Sequence, residues 1–279
     1  MSVDTFHKNG WCKINQPELD FALENLIDEI LDFSHFIYEE NVPRLDDKTL
    51  KSDYLSASLA RFAKVDRKKM SFVYDGIKNL GTFHSFYANQ HLLIACNQIL
   101  NSQKLITIKD SVGIRIDLPE ENTQLTEVHQ EFHSFPYSLS GLVVWVPLTT
   151  VNLDNGSIKL YENSHKTIYN YNGDNDEINS LIEKGKLQEA QKVGGLVLPS
   201  NLDEPMIIDA SIGDIFIMSV GTLHESVAGQ TKDLARVTCQ LRLFDYCNDF
   251  FLWKSRNYRF NEGLKQPIIS QKLYEEFNG

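Results

Sequence analysis

The sequence predicts an α+β fold in which helices fill about the first hundred residues and a jelly-roll core of about eight strands follows. Three observations carry this. Apolar residues recur at three- and four-residue spacing up to Leu100, and short β-branched runs between turn residues take over from about residue 105. The length, 279 residues, is one at which barrels and sandwiches commonly form a single domain.

The elements follow in order. Between Pro17 and Tyr38, Leu19, Leu23, Leu26, Ile30, Phe33 and Ile37 mark an amphipathic helix, and Pro17 suits its first turn. Leu55, Leu59 and Phe62 mark a second helix, Met70, Val73 and Ile77 a third, and His91 to Leu100 carries the end of a fourth. Strands are expected at Ser111 to Leu118, Glu127 to Phe132, Leu142 to Thr149 and Gly156 to Tyr161, then at Pro205 to Asp209, Asp214 to Val220, Leu223 to Val227 and Ala235 to Phe244. The polar stretch 164–201, with a helical segment near Ile178 to Gln191 and Gly194-Gly195, interrupts the strands. A connection this long is usually functional, so it reads as a lid over the mouth of the core, against the plainer reading of an insertion without a role. The expected layout is a single domain, 1–279, with a helical N-terminal region over residues 1–104, a core over residues 105–245 holding that insertion, and an extension over residues 246–279. In the extension, Tyr246, Phe250, Phe251, Trp253 and Tyr258 read as core or oligomer contacts.

Composition narrows the classes. Hydrophobic residues at 42% and charged residues at 23% match ordinary globular usage, which argues against disorder or a fibrous repeat. A net charge of -11 disfavours nucleic acid and anionic membranes, which need a basic face. Cys12, Cys96, Cys239 and Cys247 show no Cys-x-x-Cys spacing and read as free thiols. Residues 1–20 lack a basic start followed by an apolar stretch, and no run reaches the roughly 20 apolar residues of a membrane helix. These features predict a cytoplasmic chain, monomer or homodimer, acting on a small molecule.

The chemistry-bearing residues lie in the strand region. Read as a strand, Glu127 to His133 sends His129, Glu131 and His133 to one face. Two histidines and one carboxylate on one face of an octahedron hold ferrous iron and leave positions for co-substrate and dioxygen. His224, entering the strand after Gly221-Thr222, supplies a distant second imidazole, and His133 stays open as an alternative to His129. Arg236, Thr238, Gln240 and Arg242 share one face of the last strand, opposite Val237, Cys239, Leu241 and Leu243, which predicts a polar interior and an apolar outer face. An inward guanidinium near a metal can grip the distal acid of 2-oxoglutarate through two parallel hydrogen bonds while the metal takes the oxo-acid end.

His129-Gln130-Glu131, Trp145, Asn155-Gly156-Ser157-Ile158 running into Ser164-His165-Lys166, His224-Glu225-Ser226 and Arg236 together resemble the phytanoyl-CoA dioxygenase-like family over about residues 111–245. The resemblance implies a double-stranded β-helix, cupin-like core that uses Fe(II), 2-oxoglutarate and O2. It implies His129, Glu131 and His224 as iron ligands and Arg236 with Ser226 as partners of the 2-oxoglutarate distal carboxylate, with Gln130 and Trp145 in the same pocket. Two departures stand out: Glu131 where Asp is usual, and Glu162-Asn163 in place of Pro-Gly before Ser-His-Lys.

Arg115 and Asp117, on the face opposite Ile114, Ile116 and Leu118, read either as inward contacts to substrate or as members of a cross-strand ion pair. His133 reads as a substrate contact or a packed strand residue, and Gln240 and Arg242 as further substrate contacts. The expected activity is hydroxylation of an unactivated carbon of a small polar metabolite, with release of succinate and CO2. Halogenating relatives replace the metal carboxylate by a small residue, whereas Glu131 keeps that position filled. One rival is a cupin-like metal enzyme that does not use 2-oxoglutarate, against which Arg236 and Ser226 argue. Another is a non-catalytic jelly-roll carbohydrate-binding module, which would leave the convergence of two distant histidines on one carboxylate as coincidence.

Overall fold

The helical region comes first, as the periodicity predicts. In the computed structural model, residues 3–247 are described apart from 103, 109–110, 123–124, 136 and most of 170–201. Helices α1 (Val3–Asn9), α2 (Asp20–Tyr38), α3 (Lys48–Val65), α4 (Arg67–Gly76), α5 (Gly81–Tyr87) and α6 (Gln90–Leu100) precede most of the strands. Pro17 opens a single 3-10 turn, Pro17–Leu19, which leads directly into α2. Leu23, Leu26, Ile27, Ile30 and Leu31 form the buried face of α2. The break between α3 and α4 is set by Asp66, whose side chain accepts hydrogen bonds from the backbone N–H of Lys68 and Lys69 and so caps the new helix.

The strands are β1 (Trp11–Asn15), β2 (Leu105–Ile106), β3 (Val112–Asp117), β4 (Gly141–Pro147), β5 (Ser157–Leu160), β6 (Met206–Ile207), β7 (Asp214–Ser219), β8 (His224–Val227) and β9 (Arg236–Asp245). One short helix, α7 (Glu131–Ser134), lies between β3 and β4. The larger sheet runs β1-β7-β4-β9-β2 with β3 also on β9, the smaller β6-β5-β8, and every pairing is antiparallel.

Alternation along the strands of the larger sheet builds two cores. Leu142, Val144, Val146, Ile215, Ile217, Val237, Cys239, Leu241 and Leu243 pack in one cluster with the helices. Their neighbours Val143, Trp145, Phe216, Met218 and Phe244 pack with Ile158, Leu160 and Ile208, which lie on or beside the smaller sheet. The larger sheet is therefore a middle layer between helices and the smaller sheet. Each Leu, Ile or Val so buried contributes about 1.5–3 kcal/mol, and a one-residue slip would move that whole set to the wrong face, so the register is fixed. β4 is buried along its entire length, which is why it reads as an unbroken apolar run.

Three expectations change. β1, absent from the sequence reading, pairs with the edge strand β7 from Trp11 to Asn15. It is entered through Gly10, at φ +84°, where a Cβ would overlap the His165 ring. The strand expected at Glu127 to Phe132 is not formed. His129 makes a single antiparallel bridge to His224, and Glu131 opens α7. The physical reason is that Glu131, Phe132 and His133 are buried in succession, which a helical turn can satisfy and a strand with one face to the core cannot. The strand expected at Pro205 to Asp209 shortens to the exposed pair Met206–Ile207.

Most of the expected lid, including nearly all of the helix near Ile178 to Gln191 and Gly194-Gly195, lies outside the described residues, as do Phe250, Phe251, Trp253 and Tyr258. All four cysteines are free. Among the described residues no helix is long and apolar enough to cross a membrane.

Candidate metal centre

The site is built on the bridge between residue 129 and β8. His129 N–H donates to the His224 carbonyl at 3.0 Å and His224 N–H to the His129 carbonyl at 3.1 Å, so the two side chains stand directly opposite each other. Their ring centroids are 4.2 Å apart. Each Nδ1 lies against a backbone carbonyl two residues earlier, at 2.8 Å from Glu127 for His129 and at 2.9 Å from Thr222 for His224. A carbonyl only accepts, so Nδ1 carries a proton in both rings and each Nε2 is the nitrogen turned toward Glu131.

Glu131, 3% exposed at the start of α7, completes the group. Its Oε2 lies 3.9 Å from His129 Nε2 and 3.6 Å from His224 Nε2, while Oε1 is 3.0 Å from Arg242 Nη2. Ligand atoms of the three residues all fall within 4.8 Å of one another. Metal–ligand bonds of about 2.0–2.2 Å at right angles would set such atoms about 3 Å apart, so closing on an ion requires shifts below one ångström.

Electrostatics suits a cation. Burial, and then the neighbouring His224, push the His129 imidazole down to about 3 against the pull of Glu131, so it is neutral at ordinary pH. Burial alone would raise the Glu131 carboxyl. The Arg242 guanidinium and the two imidazoles outweigh it and hold the acid well below the usual carboxylate range.

These residues line a solvent-open cavity between the two sheets. Its polar wall includes Arg115, Thr126, Ser226, Arg236, Gln240 and Arg242, and its apolar wall Val143, Trp145, Ile158 and Met218. The inward face read from β9 is thus largely present.

Arg236, 2% exposed, is already paired: Nε and Nη2 donate to Asp117 Oδ2 at 3.1 and 2.8 Å, and Nη1 donates to the Ser157 carbonyl. Asp117 Oδ1 accepts from Arg115 Nε at 2.8 Å, and Arg115 Nη1 donates to Thr126 Oγ1 at 2.9 Å. Asp117 forms the cross-strand ion pair with its register partner Arg236, while Arg115 pairs with Asp117 and also lines the cavity. Burial opposes the charge on Asp117, but Arg236 and Arg115 together hold its acid below the ordinary value. Burial also lowers the Arg236 pKa, with Asp117 opposing. Asp117 is therefore taken up inside the protein rather than offered to substrate.

Two candidates fall elsewhere. Gln130 is fully buried outside the cavity, its Nε2 donating to the carbonyls of Thr167 at 2.7 Å and Gly221 at 2.6 Å and its Oε1 accepting from Tyr169 N–H at 2.9 Å. His133 is buried beside Tyr169, and burial pushes its imidazole down to about 4 against a hydrogen bond with the Tyr169 backbone. It belongs neither to the cavity wall nor to the convergent trio. What the sequence did not reveal is the pairing of Arg242 with Glu131. The period-two face of β9 pointed Arg242 inward, but nothing linked it to a residue more than a hundred positions earlier.

No family model and no curated protein matches the chain. Solved structures do. One is the epimerase SnoN from nogalamycin biosynthesis in complex with Fe3+, alpha ketoglutarate and nogalamycin RO, at TM-score 0.53 and 14% identity over 87% of this chain and 82% of that one. Another is the non-heme monooxygenase ThoJ in complex with nickel, at TM-score 0.50 and 13% identity over 87% of this chain and 76% of that one. At such identities the likeness establishes a shared α+β fold. The class that fold and site define is thus an α+β protein whose two sheets enclose a partly buried His-Glu-His group.

Proposed function

We propose that this chain is a non-haem iron(II)- and 2-oxoglutarate-dependent dioxygenase with a double-stranded β-helix core, hydroxylating an unactivated carbon of a small polar metabolite. The observation that carries the reading is the convergence of His129 Nε2, His224 Nε2 and Glu131 Oε2 in one buried place. Two imidazoles and one carboxylate are the donor set that holds ferrous iron on one face. The shared fold with SnoN, solved with Fe3+ and alpha ketoglutarate, supports it.

The residues divide the work. The carbonyls of Glu127 and Thr222 hold the histidine tautomers, and Glu131 supplies the anionic ligand. Arg236 has three of its five N–H groups engaged by Asp117 and Ser157, and the remaining two, with the Ser226 hydroxyl, receive the distal carboxylate of 2-oxoglutarate. Held by His129, Glu131, His224 and Arg236, iron(II) and 2-oxoglutarate would supply the reduction of dioxygen, with one oxygen atom going to succinate with CO2 and the other to the substrate as hydroxyl. Val143, Trp145, Ile158 and Met218 keep water from that reaction, while Gln240 and Thr126 orient polar groups of the substrate.

A second reading, a metal enzyme that does not use 2-oxoglutarate, draws on one observation: Arg236 already has a carboxylate partner in Asp117. Anaerobic protein with Fe(II) decides between them. Appearance of a visible chelate band on adding 2-oxoglutarate is the expected result, and tight iron binding without any band would leave only the second reading.

A further inference from the structure

We propose that Arg242 is a positioning residue that divides the Glu131 carboxylate, reserving Oε1 for itself so that Glu131 offers one oxygen to the metal. The inference rests on the iron(II) reading above. Arg242 Nη2 lies 3.0 Å from Oε1, whereas Oε2 is the oxygen turned toward both imidazoles, at 3.9 and 3.6 Å. The guanidinium is itself held: Nη2 donates to Gln240 Oε1 at 3.0 Å, and Arg242 Cζ lies 5.0 Å from the centroid of the Phe135 ring. With Glu131 only 3% exposed, water has little access to replace this contact.

The arrangement answers a problem that a glutamate ligand creates. Its side chain has one more rotatable bond than aspartate, and a carboxylate free to turn can chelate an ion through both oxygens. Two imidazoles, one carboxylate oxygen and a bidentate 2-oxoglutarate take five of the six positions of an octahedron. A second Glu131 oxygen would fill the last one, and no position would be left for exchange. An ion pair with a fixed guanidinium opposes that, since Oε1 must leave Arg242 before it can ligate. Arg242 is thereby moved from the group of expected substrate contacts to a role exerted through Glu131.

The test counts exchangeable water on the ion, independently of turnover. Mn(II), a redox-stable divalent stand-in that accepts carboxylate and water ligands in octahedral geometry, is added anaerobically with 2-oxoglutarate, and water-proton relaxation is measured. The wild-type complex is expected to enhance relaxation through one exchangeable water. Arg242→Met should lose that inner-sphere enhancement, since Glu131 closes on the ion with both oxygens. Arg242→Lys keeps the positive charge that supports folding around Glu131 but lacks the planar fork, and the same loss is expected; this variant decides if the methionine form does not fold. Wild-type enhancement retained in the lysine variant, or in folded Arg242→Met, overturns the inference while leaving the iron reading intact. Wild-type protein that binds no Mn(II) overturns both.

Discussion

Replacing Asp117 by Asn separates the structural from the ligand-binding role of the buried arginine. Asp117 is 8% exposed and shares its two oxygens between Arg115, at 2.7 Å, and Arg236, at 2.8 Å. Taking away one partner of a buried pair leaves an uncompensated charge and costs about 3–5 kcal/mol. Asparagine keeps one acceptor oxygen, so the lower end applies, and about 3 kcal/mol in a chain of this size lowers Tm by roughly 6–12 °C. If Arg236 receives the distal acid of 2-oxoglutarate, that acid supplies the missing counter-charge. A ligand at 100 times its Kd stabilises by about 2.7 kcal/mol, and the variant, with no Asp117 to compete, should be stabilised by more than the wild type at equal concentration.

Thermal unfolding of both proteins, anaerobic with Mn(II), with and without 2-oxoglutarate, provides the comparison. Asp117 has its folded pKa below the ordinary value of 3.8, so the stability it contributes is fully present above that pH and is lost as pH falls through the lower folded value. The gap between the two proteins should therefore close in acid. An Asn variant that unfolds with the wild type would refute the ion-pair argument, and equal stabilisation of both by 2-oxoglutarate would remove Arg236 as its partner.

Three further outcomes follow from the site. His129→Ala and Glu131→Ala should each abolish stoichiometric Fe(II) binding in anaerobic calorimetry while His133→Ala retains it; the reverse pattern would transfer the ligand role to His133. His129 and His133, pushed down to about 3 and about 4 from 6.5, bind protons only in the unfolded chain between those values. Stability of the metal-free protein should thus fall on acidification from pH 6.5 to pH 4 by about 1.4 kcal/mol per pH unit for each histidine, and urea midpoints unchanged from pH 6.5 to pH 5 would contradict the neutral-imidazole assignment. In labelled dioxygen with chloride present, the product should gain one labelled oxygen, because Glu131 fills the ligand position that a halide would need; chlorinated product would sink both the ligand assignment and the hydroxylase reading.

The features legible in the sequence were those set by local periodicity. The three alternations Arg236/Val237, Gln240/Leu241 and Arg242/Leu243 divide cavity side from helix side along β9, as β4 and β7 do for apolar residues alone. Partnership could not be read. β1 has only five residues and gains its place from β7, some two hundred positions away. The run Glu127 to Phe132 alternates like a strand, yet its second half must bury three consecutive side chains and coils into α7 instead. Arg236 was legible as inward and basic, but its engagement by Asp117 follows from the register of β3 on β9, which composition does not specify.

That His129 and Glu131 still meet, although the strand expected to align them is missing, shows which constraint governs the site. His129 is fixed by two backbone hydrogen bonds to His224, so the imidazoles face each other whatever follows in the chain. Phe132, fully buried, ties its N–H to the Val220 carbonyl at 2.9 Å, and that contact draws the first turn of α7 over the same end of the sheet. The outcome brings two imidazole Nε2 atoms and a carboxylate oxygen within 4.8 Å of one another, a concentration of ligand atoms that packing alone does not require. The surroundings then reinforce it: both Nδ1 protons are turned outward to carbonyls, and Arg242 binds the far oxygen of Glu131 instead of the near one. A divalent cation at the point of convergence would take all three ligand atoms without disturbing any of those contacts, which is why the arrangement of ligand atoms, more than any single residue type, supports a metal site here.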